Sequence, residues 1–231
     1  MINKKIFAIL TAIVILASVC LAGCQSTTGK DQSGLDISTP VVINENQVEN
    51  TADEIQTITD IVIVDAEALE DYAAADMSGY HYLTDAEHCF KEIETLDVVN
   101  MIDEGKTFIV VFTHTGCPWC QAAMPVLNDV AKTYGLAVGC VDVRKDPSWK
   151  SNLDIENYDD LVERIGEFFP LDSDDLRHLY VPHVFFVKDG EVVHEFSGAG
   201  VTYNGEDTPL NDEQIVELTG YYMTGIEKLA N

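Results

Sequence analysis

Between residues 107 and 135 the chain reads as three pieces in a set order, and that order restricts the fold more than any other feature. Thr107-Phe-Ile-Val-Val-Phe-Thr113 is an unbroken apolar run without alternation. It has the length of one strand, and its lack of a polar side marks a strand buried on both faces, as in a sheet covered above and below by helices. Cys117-Pro-Trp-Cys120 then opens a segment in which Met124, Leu127, Val130, Ala131 and Tyr134 recur at helical spacing, with Gly135 as a stop. A buried strand, a tight turn and a helix predict a βα unit of an α/β protein, with both cysteines where the helix begins.

The flanking sequence extends this alternation. Cys89 to Ile93 reads as a first strand, Thr95 to Asp103 as a helix, and Leu136 to Val143 as a further buried strand. Val184 to Val187, the Asp189-Gly190 pair and Val192 to Phe196 predict a β-hairpin. Asn211 with Gln214 forms a capping box for a last helix ending near Leu229. The expected fold is α/β, a mixed central sheet flanked by helices. An insertion over about 146–179 carries an amphipathic helix, Tyr158 to Phe169, whose Leu161, Val162, Ile165, Phe168 and Phe169 read as extra core in preference to a partner groove. With 46% hydrophobic residues among 231, one core is expected. The 13 Lys+Arg against 40 Asp+Glu, a net charge of −27, exclude a nucleic-acid-binding surface, because neutralising phosphates requires clustered cations.

The N-terminus reads as an address. Lys4 and Lys5 precede a nearly continuous apolar run from Ile6 to Leu21, and small residues follow. Leu21-Ala22-Gly23-Cys24 resembles the lipobox of bacterial lipoproteins. It implies export, cleavage after residue 23 and a lipid on Cys24 that anchors the chain at the outer face of the cell membrane. An uncleaved membrane-spanning anchor is the alternative, for which the run is slightly short. Residues 24–76 read as a polar tether and N-terminal extension, with no aromatic between Cys24 and Tyr72. Within it, Ile61 to Val64 looks strand-like and Ala66 to Ala75 suits a short helix. Residues 77–231 form the expected folded domain. Cys89, Cys117, Cys120 and Cys140 then lie outside the cytoplasm, where disulfide chemistry is allowed.

At the helix start, Cys117 meets the unpaired amides and positive end of the helix, which favours the thiolate. Cys120 lies one turn on, close enough to close a small ring, and Pro118 suits a first turn in which its missing N–H is not needed. An attacking and a resolving sulfur are what thiol–disulfide exchange requires. The other readings are a permanent disulfide or half of a zinc site, but no second Cys-x-x-Cys exists to complete a tetrahedral centre, so neither a metal nor a cofactor beyond the Cys117–Cys120 pair is expected. Trp119 reads either as an exposed contact for substrate or as a packed indole. His114 is either a modulator of the thiolate or a solvated side chain at a strand end, and His183 has a similar, weaker standing.

Phe108 to Gly135, with Pro125 where such helices bend, resembles the active-site strand and helix of the thioredoxin superfamily. Val181-Pro182, the apolar strand after it and Lys188-Asp189-Gly190 resemble that family's cis-proline loop and hairpin. The resemblance covers about residues 88–231. It implies a thioredoxin-like fold with the helical insertion before the cis-proline loop, a cis Pro182 facing the cysteines, and a substrate groove lined by Val181 and Pro182. It further implies a thiol–disulfide oxidoreductase whose partners are protein thiols or disulfides and a redox partner. Small exported thioredoxin-like proteins, among them the bacteriocin-transport accessory proteins, are similar in kind. There are departures. Val111 stands where thioredoxins commonly hold a buried acid, Cys140 where a lysine is usual, and Thr113 and Gly116 take the place of the tryptophan before the motif. These argue against efficient general reduction but not against exchange itself, whose direction they leave open. The implied strand order makes Cys89 and Cys140 neighbours, either paired or separate buried thiols. A non-catalytic accessory module is the alternative function, disfavoured because a scaffold has no need of an exposed redox pair.

Overall fold

The computed structural model describes residues 66–231. The expected signal segment, the lipid-bearing Cys24, the polar spacer and the strand-like Ile61 to Val64 lie outside the described residues.

Five strands make one sheet: β1 (Phe90–Glu92), β2 (Phe108–Thr113), β3 (Val138–Asp142), β4 (His183–Lys188) and β5 (Glu191–Ser197), in the order β1-β3-β2-β4-β5. The first three are parallel to one another, whereas β4 runs antiparallel to β2 and β5 antiparallel to β4. All six residues of β2 are buried, as its unbroken apolar run requires, and they divide between two cores. Ile109 and Val111 face a core shared with α2 (Pro118–Thr133) and α4 (Asp212–Ala230). Phe108, Val110 and Phe112 face the opposite core, shared with α1 (Thr95–Asp103) and with α3 (Tyr158–Ile165) of the insertion. The result is a mixed α/β sheet covered on both faces. Among the described residues no helix is long and apolar enough to cross a membrane.

The hairpin turns at Asp189 (φ 52°) and Gly190 (φ 81°), two left-handed residues whose twist matches the flanking strands. A Cβ at Gly190 would fall 2.5 Å from the Ile102 carbonyl, so the close approach of α1 also demands glycine there. The capping box of α4 forms as expected: Asn211 Oδ1 accepts from the Gln214 amide at 2.9 Å and Gln214 Oε1 accepts from the Asn211 amide at 3.0 Å.

Several elements differ from their expected bounds, β3 among them, which is trimmed from Leu136–Val143 to Val138–Asp142. The helix expected over Ala66 to Ala75 is a single 3₁₀ turn, Ala66–Leu69. Ala73 to Ala75 instead pair with the edge of β1, through Ala75 N–H to Phe90 O (3.1 Å) and Glu92 N–H to Ala73 O (2.9 Å). An unpaired sheet edge offers hydrogen bonds that outweigh the modest helix preference of three alanines. The first strand is shorter than expected, with Cys89 just outside it. The insertion helix ends at Ile165 and continues as a 3₁₀ turn, Gly166–Phe168, that delivers Phe169 into the core.

Candidate active site

The site grows from the turn between β2 and α2. Cys117 is the N-cap of α2, with an extended backbone, and its sulfur accepts the Cys120 amide at 3.3 Å. Pro118 occupies the first turn, where a missing N–H costs nothing. The Cys117 thiol also donates to the Val181 carbonyl at 3.4 Å, so the loop before β4 lies across the cysteine pair. The Val181–Pro182 bond is cis, and Pro182 is buried while Val181 is half-buried. The residues expected from distant parts of the sequence, Cys117, Cys120, Val181 and Pro182, therefore meet in one place.

The two sulfurs differ sharply. Cys117 is held down to about 7, first by the Cys120 thiol that hydrogen-bonds its sulfur, and then by the Cys120 and Trp119 amides, against an opposing effect of burial. Cys120 is fully buried, and burial, followed by its contacts with Cys117, pushes its thiol far upward. The Thr113 hydroxyl and the His114 amide act the other way on Cys120. Both sulfurs are free thiols in this structure. A low-pKa sulfur beside a protonated, buried one is an arrangement suited to attack by the first and later displacement by the second.

The remaining expected residues fall into place around them. Trp119 is 39% exposed, and its ring meets Tyr203 edge-on with centroids 6.2 Å apart. It also covers Gly205, where any Cβ would collide with the indole. Trp119 is thus both presented to solvent and braced from behind. His114 turns its Nδ1 to accept the Gly116 amide at 3.1 Å, and burial, then Arg144, lower its pKa. Through this bond His114 shapes the turn that leads into α2. Cys140 pairs in register with Val111 in the same core as Cys120, and burial pushes its thiol up to about 12. Cys89 and Cys140 are both free, the register placing Glu92 opposite Cys140. His183 is buried, with Nε2 2.7 Å from Glu195 Oε2 and its ring stacked on Phe185. It belongs to the sheet's packing. Among the described residues no group of three or more His, Cys, Asp or Glu side chains is placed to hold a metal ion.

Sequence reasoning missed a collar of side chains. Gln121, Asn128 and Lys132 lie seven and four positions apart, on one face of α2. Gln121 donates to Gly79 O (2.8 Å) and Thr115 O (2.6 Å) and accepts from His81 N–H (2.9 Å). Asn128 accepts from Cys89 N–H (3.0 Å) and donates to Asp85 (3.1 Å), which also pairs with Lys132. The extension ahead of β1, residues 77–89, is so close that a Cβ on Gly79 would lie 2.5 Å from the Thr115 methyl. It brings the Tyr80 hydroxyl to 2.9 Å from Thr113 Oγ1, both buried. On the outer side, Tyr82 donates to the Asp207 carbonyl at 2.7 Å and His81 Nε2 lies 3.3 Å from Asp207 Oδ1, joining the extension to the loop that carries Tyr203 and Gly205. The polar stripe on an otherwise apolar helix was the one signal available in the sequence; what it binds lies some 40 residues away.

A family profile described as "TraF: F plasmid transfer operon protein" matches residues 74–166, which span β1, the cysteine turn, α2, β3 and α3. No curated protein matches the chain. Among solved structures 46 chains match. One is the crystal structure of a poplar thioredoxin h mutant, 17% identical, covering 56% of this chain and 82% of that one with a TM-score of 0.31.

Proposed function

We propose that this chain is a thioredoxin-superfamily protein acting as an extracytoplasmic thiol–disulfide oxidoreductase held at the membrane through Cys24. The observation that carries the reading is the asymmetry of the two sulfurs at one helix start: Cys117 lowered to about 7 and within reach of the Val181 carbonyl, Cys120 buried and protonated. At neutral pH a sizeable share of Cys117 is thiolate. That sulfur attacks a substrate disulfide, forming a mixed disulfide, and one substrate sulfur departs with the electron pair. Cys120 then gives up its proton and attacks Cys117, releasing the second substrate sulfur and closing the Cys117–Cys120 disulfide. The substrate gains two electrons and the pair loses two. The reverse sequence oxidises a substrate dithiol, and the difference in reduction potential sets the direction.

Val181 and Pro182 would line the path of the substrate backbone, and Trp119, half-exposed beside Cys117, would supply apolar contact. Replacing Cys120 with serine removes the resolving sulfur. Mixed disulfides joined through Cys117 should then accumulate on non-reducing gels and disappear with Cys117→Ser. If none form, and the purified protein neither reduces nor oxidises a test disulfide, the non-catalytic accessory reading takes its place. Loss of incorporated palmitate in Cys24→Ser tests the anchor.

A further inference from the structure

Trp119 stands between the two cysteines in the chain, and its indole does not lie loose on the surface. It has a seat, built by the loop between β5 and α4. Gly205, left-handed at φ 77°, passes its backbone so close to the six-membered ring that any Cβ there would collide with Cζ2 and Cη2. The Tyr203 ring stands edge-on to the indole, at 89° with centroids 6.2 Å apart, a favoured aromatic geometry. Tyr203 is itself buried and fixed. Its hydroxyl donates to the Glu206 carbonyl at 2.7 Å, with the Thr208 carbonyl at 3.2 Å and that of Pro118 at 3.5 Å. The bond to Glu206 closes the loop upon itself around Gly205. One residue on, the Asp207 carbonyl accepts from the Tyr82 hydroxyl at 2.7 Å, which ties the loop to the extension. Yet 39% of Trp119 remains open to solvent. A loop that served only to bury the ring would gain by covering it; this one sets its angle and leaves part of it bare.

We propose that Tyr203 and Gly205 are positioning residues for substrate selection: they hold the Trp119 indole in one pose, its open part forming a rigid apolar contact for a substrate chain whose reacting cysteine is flanked by an aliphatic or aromatic side chain. This rests on the exchange function proposed above and names a substrate class for it. The physical gain is preorganisation. A free indole has two side-chain torsions to fix when a substrate arrives, and that ordering would weaken binding; here the torsions are fixed on folding. A polar neighbour of the substrate cysteine would shed water against the ring without finding a partner there, so the contact discriminates between chains.

The test uses the reduced full-length protein and two peptides alike except at the position after their single cysteine, leucine in one and its near-isostere asparagine in the other. Each cysteine is activated as a mixed disulfide with nitrothiobenzoate. Cys117 attacks the peptide sulfur: a bond forms between those two sulfurs, the bond to nitrothiobenzoate breaks, and the coloured thiolate leaves with the electron pair. In the parent protein the leucine peptide should react about five-fold faster than the asparagine peptide. Tyr203→Leu and Gly205→Ala should each bring that ratio to about one, as Trp119→Ala does, while Tyr203→Phe, which keeps the ring edge, should hold it. With Trp149→Phe leaving Trp119 as the sole tryptophan, acrylamide quenching of its fluorescence reads the seat directly and should rise in Tyr203→Leu. A ratio near one in the parent protein, a ratio kept by Tyr203→Leu or by Gly205→Ala, or a ratio lost with quenching unchanged overturns the proposal. Absence of Cys117-dependent release with either peptide in the parent protein overturns the exchange function, and this inference with it.

Discussion

Two sulfurs three positions apart meet opposite surroundings, and their titration should report it. Cys117 sits at the open end of α2, where amides and a neighbouring thiol favour the anion; Cys120, one turn inward, has lost its contact with water. Alkylation of the reduced protein by iodoacetamide, located by peptide mapping, should therefore occur at Cys117 with a half-maximal rate near pH 7, while Cys120 stays unmodified. The same shift has a consequence for stability. With its pKa lowered from the ordinary 9.0 to about 7, Cys117 is ionised in the folded state over a window in which the unfolded chain still binds the proton. Its contribution to the stability of the dithiol form is complete above about pH 9 and is lost as the pH falls through about 7. The melting temperature of the reduced protein minus that of Cys117→Ser should accordingly grow from pH 7 to pH 9. A difference that shrinks across that window contradicts the placement of Cys117 among its donors.

At the scale of elements, α2 does two jobs with two faces. Its apolar face, with Met124, Leu127, Val130 and Ala131, packs in the core and was readable from spacing alone. Its polar stripe holds the extension against the active-site turn, and that was not readable, because the partners, backbone groups of Gly79, His81 and Cys89 and the Asp85 carboxylate, lie some 40 residues away in the sequence. Asn128 is wholly buried and satisfies the Cys89 amide, so Asn128→Ala should lower stability by about 2 kcal/mol, as expected when a buried donor loses its acceptor. Gln121→Ala should have an effect of similar size and should speed hydrogen exchange at the His81 amide, which it leaves unpaired. If equilibrium unfolding in urea shows both variants within a few tenths of a kcal/mol of the parent protein, the extension is not clamped in solution. The alanine-rich stretch before it teaches the converse lesson. Ala73 to Ala75 carry good helix propensity, yet they pair with β1 because the sheet edge supplies hydrogen bonds that a three-residue segment cannot make for itself.

Across the whole molecule, the insertion is built into the second core. Phe169 is buried, stacked on Tyr158 with centroids 6.1 Å apart and edge-on to Phe185 of β4, directly below the strand that begins at the cis-proline loop. Phe169→Ala should therefore cost about 3–5 kcal/mol in chemical denaturation. A cost below about 1 kcal/mol would mark the insertion as an appendage instead. The other core is equally tight where α4 crosses the sheet, since a Cβ on Gly225 would lie 2.5 Å from the Phe186 ring.

The sequence by itself determined the α/β class, the buried central strand, the helix with a cysteine pair at its start, the hairpin and the last helix. Each of these rests on periodicity, turn chemistry or capping within a few residues, which are local properties. It also pointed to Pro182 as the neighbour of the cysteines, by resemblance and not by spacing. Only the tertiary structure decided that Tyr80 meets Thr113, that Gln121 holds residues 79–81 over the turn, and that Tyr82 meets Asp207. Those outcomes depend on register between strands and on contacts spanning 33 to 125 positions. No short window encodes them, because the free energy that selects them is released only when the two cores close on the sheet.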